Sequence, residues 1–412
     1  MTSTTTSPTP GHAHPPALDL PLVSLAMGAL LLAQFLSALA DNAVLIAAIA
    51  VAKNGGMPGL VPLLQEAFVL PFIVLAPFAG PLADGFSKSR VMLGANLLKL
   101  AGAIGMALGV NPLAAYGLIG IGATLYSPAK YGILAQMFAP ERLVRANGML
   151  EGSTIVAILL GVLVGGWLAD HSLAMAFGGV MACYAVATGA NLLIPRLPAE
   201  NPHASFGPAP MVRRFWTALR TLYVNDDARF SLLGTSVFWG SGTTLRLVLF
   251  AWVPVALGLA DNQTPANLMG ALSVGIVAGA AIAGFWVSLA KVNRALWGGV
   301  LLGPMILVMA SISHLWPAAL VMAGIGVCGG LFVVPLNALL QERGHESVGA
   351  GSALAVQNFS ENLTMLLFVG IYAGVRAQGV AVIPTIVGFG IVLILAVGAI
   401  SAVRLARRPG AA

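Results

Sequence analysis

The sequence predicts an all-α integral membrane protein with twelve transmembrane helices in two pseudo-symmetric six-helix bundles. Three observations carry that expectation. The 412 residues are 58% hydrophobic and only 8% charged, whereas soluble chains carry about 25% charged residues. Twelve apolar segments recur along the chain, most of them near the ~20 residues that cross the hydrocarbon core. The halves also repeat: Ala79-Gly80 followed by Asp84 and Arg90 matches Ala283-Gly284 followed by Ser288 and Arg294, 204 positions on.

Taken in order, the first 18 residues are rich in Ser, Thr, Pro and His without Lys or Arg, and are expected to form a disordered cytoplasmic tail. Ala38-Leu-Ala40 mimics a signal-peptidase site, but no positive charge precedes it and the apolar run continues, so the segment is expected to stay. Spans are expected at roughly 20–52, 58–82, 91–110, 113–138, 146–168 and 172–195, forming a first bundle over 19–195. A polar, Pro-bearing connection at 196–229 separates them from spans at 230–259, 267–290, 295–313, 316–340, 348–375 and 378–402. These make a second bundle over 230–403, followed by a basic tail at 404–412. Fifteen of the 20 Lys and Arg residues fall on the side that would hold both termini, against Lys53 and Arg376 on the other. That bias predicts both termini in the cytoplasm. It also accounts for the net charge of +6 without nucleic acid as a partner. Cys183 and Cys328 lie in apolar runs and are expected to be free thiols.

Polar residues inside apolar spans mark candidate sites, because an ionised group at bilayer depth is costly unless it faces a partner or a cavity. In the first span Gln34, Ser37 and Asp41 share one helix face, with Asn42 beside them. Arg246, 205 positions after Asp41, lies in the matching span of the second half. An acid and a base at matched depths suggest a central site or gate. Tyr126 and Lys130 share a face of the fourth span, separated by Pro128. There Lys130 is a cation aimed at an anionic substrate group, or a side chain snorkelling to the headgroups. The eleventh span carries Gln357, Asn358, Glu361 and Asn362, and the fifth carries Asn147 and Glu151. These polar faces line a cavity or an interhelical hydrogen-bond network. Glu66 is expected at the rim and Lys99 as a snorkelling residue near a helix end. Gly161-x-x-x-Gly165 and Gly370-x-x-x-Gly374 fit close helix packing. The sequence carries no phosphate-binding loop, metal-spaced cluster or nucleophile arrangement, so no cofactor, metal site or catalytic residue is expected.

Gly80-Pro-Leu-Ala-Asp84-Gly-Phe-Ser-Lys88-Ser-Arg90 resembles the loop of major facilitator transporters, with Gly85 where Arg is usual and Ser87 where Gly is usual. Gly80, Asp84 and Arg90 would then serve as a conformational latch. Other blocks are Gln34 through Asn42, Tyr126 through Lys130, Arg145 through Glu151, Arg246 with Trp252, and Val333 through Arg343. Together they resemble the bacterial lysophospholipid transporters (LplT), a similarity over roughly residues 30–395. The resemblance implies a major facilitator fold alternating access between two bundles, and no enzymatic activity. It implies inward movement of lysophosphatidylethanolamine and lysophosphatidylglycerol across the inner membrane for reacylation. The reacylating partner in that family is an acyltransferase–acyl carrier protein synthetase, fused to the transporter in some relatives. It is expected to be separate here, since the chain ends at Ala412. The family's acid, helix-seven Arg and helix-four Lys fall on Asp41, Arg246 and Lys130. Substrate binding or gating is thus expected at Gln34, Asp41, Asn42, Tyr126, Lys130, Arg246, Asn358 and Glu361, with the lipid phosphate on a cation and an ethanolamine ammonium on Asp41.

Two other readings compete. A major facilitator exporter of drugs or small metabolites shares the fold, but Tyr116 occupies the position where proton-coupled drug transporters usually carry Arg. An integral-membrane acyltransferase would need a His-Asp or similar pair near the interface, which the sequence lacks.

Overall fold

Apolar helices dictate the architecture, since backbone N–H and C=O groups in lipid can be satisfied only within a helix or a closed barrel. The computed structural model describes residues 18–55, 60–202, 207–259 and 263–406. The expected N-terminal tail lies, apart from Leu18, outside the described residues, as do Arg407 and Arg408. Among the described residues the chain forms fourteen α-helices. The first half holds α1 (Leu25–Asn54), α2 (Leu60–Val74), α3 (Ala76–Gly85), α4 (Lys88–Ala107), α5 (Pro112–Met137), α6 (Pro140–His171) and α7 (Leu173–Asn191). A connecting helix, α8 (Pro208–Val224), precedes α9 (Asp226–Ala256), α10 (Gln263–Trp286), α11 (Leu296–Ala310), α12 (Leu315–His345), α13 (Ala350–Ala377) and α14 (Val382–Ala406). A 3-10 turn over Leu289–Ala295 leads into α11.

Twelve expected spans map onto this order with α2 and α3 as one broken span. Among the described residues, eight helices are long and apolar enough on their own to cross a membrane, and nine if the bent pair is counted. The pair bends by 66° at Leu75. Pro77 explains the break, because its ring nitrogen cannot donate to the preceding turn. Pro112, Pro140 and Pro208 instead open their helices, where a missing N–H costs nothing. Asn111 and Asn225 cap α5 and α9 by accepting from the N–H of Leu113 (2.9 Å) and Ala228 (3.0 Å).

Both described ends lie at one end of the bundle, called the terminal face below. There the N–H of Leu18 donates to the Gln136 carbonyl and that of Leu20 to the Met137 carbonyl. The expected connection at 196–229 is more structured than its polarity suggested. Met211, Phe215, Ala218 and Leu222 form one buried stripe of α8, which packs on α3, α9 and α13. The basic tail expected at 404–412 also starts later, since α14 runs to Ala406. Arg404 is buried there, donating to Asp227 and, at 3.0 Å, to Asn293. With Arg343 also on Asp227 (2.9 Å), this ties α9, α12 and α14 together.

The halves meet along α6 against α10 and α12, and α13 against α3 and α5. Small residues permit close crossings within the first half as well. A Cβ at Gly161 would lie 2.5 Å from the Leu39 carbonyl oxygen, and one at Gly165 would lie 2.6 Å from the Ala43 Cα, so that motif seats α6 on α1. Gly370 and Gly374 have open space instead, so the second expected motif packs nothing here. Cys183 and Cys328 are free thiols.

Candidate functional site: a central cavity between the halves

The broken and polar spans converge on a cavity of about 320 Å³. Gln34, Asp41, Asn42, Tyr126, Lys130, Asn358 and Glu361 all line it, as do Lys99, Glu151 and Asn337. Phe68, Val69 and Phe72 of α2, Ile158 of α6, Trp239 of α9 and Met365 of α13 supply an apolar wall. Arg246 does not line it. That residue is exposed on α9 and makes no hydrogen bond or ion pair among the described residues.

The acid of α1 therefore has a different partner from the one the repeat suggested. Asp41 Oδ2 accepts from Lys99 Nζ at 2.7 Å, and Asp41 Oδ1 accepts from the Tyr184 hydroxyl at 2.7 Å. Lys99 is 2% exposed and also donates to Ser37 Oγ at 3.0 Å. It is a buried ion-pair partner within the first half, which corrects its reading as a snorkelling end residue. Each oxygen of Asp41 thus already accepts one donor from the protein in this state. Asp41 and Arg246 are not brought together here.

Lys130 is placed differently. The ammonium sits 4.5 Å from the Tyr131 ring centroid, and no carboxylate lies within ion-pair distance among the described residues. Pro128 leaves a carbonyl without its helical donor one turn back, at Thr124, in the stretch that aims Lys130 inward. An unpaired ammonium lining a cavity within apolar spans is ready for a phosphate or carboxylate.

The opposite wall is a hydrogen-bond chain crossing between the halves. Glu151 Oε1 accepts from the Tyr131 hydroxyl (2.5 Å) and Asn337 Nδ2 (3.0 Å). Gln357 Nε2 donates to Asn337 Oδ1 (2.6 Å) and Glu361 Oε1 (2.7 Å). Asn358 donates to Ser127 Oγ at 3.0 Å, and Asn147 and Gln341 exchange amide bonds at 2.9 and 2.6 Å. Gln34 donates to Thr154 (2.9 Å) and Asn42 to the Ala38 carbonyl (2.8 Å). Glu66 is exposed on α2.

Between this cavity and the terminal face, α3 meets the start of α13. Asp84 accepts from the N–H of Gly351 (2.7 Å) and Ser352 (2.8 Å) and from the Ser352 hydroxyl (2.6 Å). A carboxylate there complements the positive end of the helix. Gly80 lets the backbones close, since a Cβ would lie 2.7 Å from the Ser352 Cα. Gly349 holds φ at +96°, and a side chain there would run into Asp84. Arg90 stays exposed and joins no bond in the latch among the described residues. Sequence reasoning missed Glu200 instead. From the connection between the halves it accepts from Lys88 (2.8 Å), the Ala350 N–H (2.9 Å) and His345 (3.3 Å). Burial alone would raise its pKa, but Lys88 and His345 outweigh it and hold the carboxyl at about 2.

Two helical bundles with one shared polar cavity, closed on one face by charged contacts, define a membrane carrier. A family model described as Major Facilitator Superfamily matches residues 30–369. Among curated proteins, lysophospholipid transporter LplT of Yersinia pestis (strain Pestoides F) is 52% identical over 366 residues, covering 89% of this chain and 90% of its own. The protein of that name in Yersinia pseudotuberculosis (strain IP32953) matches equally. Of solved structures, a human organic anion transporter has a TM-score of 0.71 at 16% identity, covering 92% of this chain and all of its own. A bacterial homologue of the iron transporter ferroportin, in its outward-facing state, also has 0.71, at 14% identity and covering 93% and 100%. The chain belongs to the Major Facilitator Superfamily and, within it, to the family of the lysophospholipid transporter LplT.

Proposed function

We propose that the protein is a lysophospholipid transporter, not an enzyme, and carries lysophosphatidylethanolamine and lysophosphatidylglycerol inward across the bacterial inner membrane. The observation that carries this reading is the pairing, in one cavity, of the unpartnered Lys130 ammonium with the wall of Phe68, Phe72, Ile158 and Met365. A single-chain phospholipid has both needs: a cation for its phosphate and an apolar surface for its acyl chain. At about 320 Å³ the cavity sits at the low end of small-molecule sites, roughly 300–1,000 Å³, so it suits a headgroup and glycerol with the chain extending past α2. The names of the 52%-identical relatives point the same way.

In this reading the terminal face is cytoplasmic, as the positive-inside bias requires. The latch closes that face, so the cavity receives lipid from the opposite side. Gln34, Asn42, Asn358 and Glu361 contact the glycerol and headgroup, and Tyr126, whose ring faces the Lys99 ammonium at 5.0 Å, lines the same site. Asp41 holds Lys99 in place, while Arg246 guards the outer entrance. The delivered lipid is reacylated by an acyltransferase–acyl carrier protein synthetase. Reconstitution into liposomes with labelled lysolipid tests the function. Both lysolipids should cross faster than in protein-free liposomes, and equal rates with and without protein would refute it.

A further inference from the structure

A second cavity, of about 280 Å³, opens on the terminal face beside the latch and shares no lining residue with the central cavity. Its walls come from four sources: Pro81 and Asp84 of α3, Asn201 of the connection, Val348 and Ser352 at the start of α13, and Arg213, Arg214 and Thr217 of α8. Neither guanidinium has a hydrogen bond or ion pair among the described residues. The one carboxylate in the lining, Asp84, is engaged by three donors from α13 and by Lys88 at 3.6 Å, and pairs with neither arginine. Two adjacent arginines without a counter-ion, lining one open cavity, form a receptor for a phosphate group.

The helix that presents them lies where a headgroup would be. Its apolar stripe is docked on the bundle, while Trp216 remains 56% exposed, edge-on to Phe215 at 5.7 Å and to Phe359 at 6.4 Å. An indole half-buried in protein and half-exposed at the end of a helical bundle is characteristic of the membrane interface. An occupant would touch both halves at once, because α3 belongs to the first and α13 to the second. Separation of the halves on this face would dismantle the cavity.

We propose that this cavity binds the phosphodiester headgroup of an anionic phospholipid, which selects the state closed on the terminal face. Free phosphate shares the chemistry, so the test separates the sources. The full-length protein, purified in neutral detergent, is titrated with short-chain phosphatidylglycerol, phosphatidylcholine or inorganic phosphate. Lipid retention is followed by native mass spectrometry, and closure by spin-label distances between Glu141→Cys and Ser347→Cys. Phosphatidylglycerol alone should be retained and narrow the distribution at its short distance. Arg213→Ala/Arg214→Ala should lower retention about tenfold or more, and Thr217→Phe, which fills the cavity without removing charge, should do likewise. Arg220→Ala, on the same helix outside the lining, should retain wild-type behaviour. Equal retention by the double variant, or equal loss on removing Arg220, would overturn the site. A response to inorganic phosphate matching that to the lipid would overturn the lipid as its occupant.

Discussion

At the level of single residues, two lysines one helix apart have opposite fates. Lys99 has a carboxylate at 2.7 Å, and Lys130 has none within reach. Removing one partner of a buried pair strands the other charge, at about 3–5 kcal/mol. Asp41→Ala should therefore lower the unfolding temperature of the purified protein, while Asp41→Asn with Lys99→Met, which removes both charges, should recover most of it. A double variant no more stable than Asp41→Ala would show that the pair does not hold the first half together. The pair also explains what the sequence could and could not disclose. Asp41, Lys130 and Glu361 stood out because a charge in an apolar run is visible without any structure. The partner of Asp41 was not, because spacing reports faces of one helix and not which helix lies opposite. The internal repeat pointed to Arg246, whereas folding placed Lys99 of α4 beside α1.

At the level of elements, closure on the terminal face rests on the start of α13. Asp84 and Glu200 share its N–H groups, and Lys88, with no exposure, sits between the two carboxylates at 3.6 and 2.8 Å. Glu200→Gln leaves Lys88 poorly paired, and Gly349→Ala forces a side chain at φ +96° against Asp84. Each should loosen the latch, so that a cysteine at buried Ala83, in a background without Cys183 and Cys328, gains reactivity toward maleimide. Unchanged labelling would remove the latch from the account. The pH dependence follows from the depressed carboxyl of Glu200. Its stabilising contribution is complete above the ordinary carboxylate pKa and is lost only as pH falls through about 2. Glu200→Gln should therefore match wild type only near that extreme. The Gly80–Arg90 pattern disclosed part of this latch in advance. Glu200 escaped notice because it lies in a polar connection, where one more acid is unremarkable until the chain folds back onto α13.

At the level of the whole molecule, the latch and the cavity belong to one cycle. The halves share a polar wall through Asn147–Gln341, Glu151–Asn337 and Ser127–Asn358, all bonds that must part for the terminal face to open. Spin labels at Glu141→Cys and Ser347→Cys, exposed and on opposite halves, should show a longer distance once lysolipid is added to proteoliposomes. A single unchanged distance during active transport would exclude this route. The central claim is that one cavity carries one phosphate-bearing amphiphile, held by Lys130. Each lysolipid depends on that contact whatever its headgroup, and a charge-assisted bond contributes about 1.5–3 kcal/mol. The most direct measurement is transport of labelled lysophosphatidylethanolamine and lysophosphatidylglycerol by Lys130→Ala and Lys130→Arg in liposomes. The account predicts a loss of about 10- to 100-fold for both lipids in Lys130→Ala and partial activity in Lys130→Arg. A folded Lys130→Ala protein that moves both lipids at the wild-type rate would contradict it.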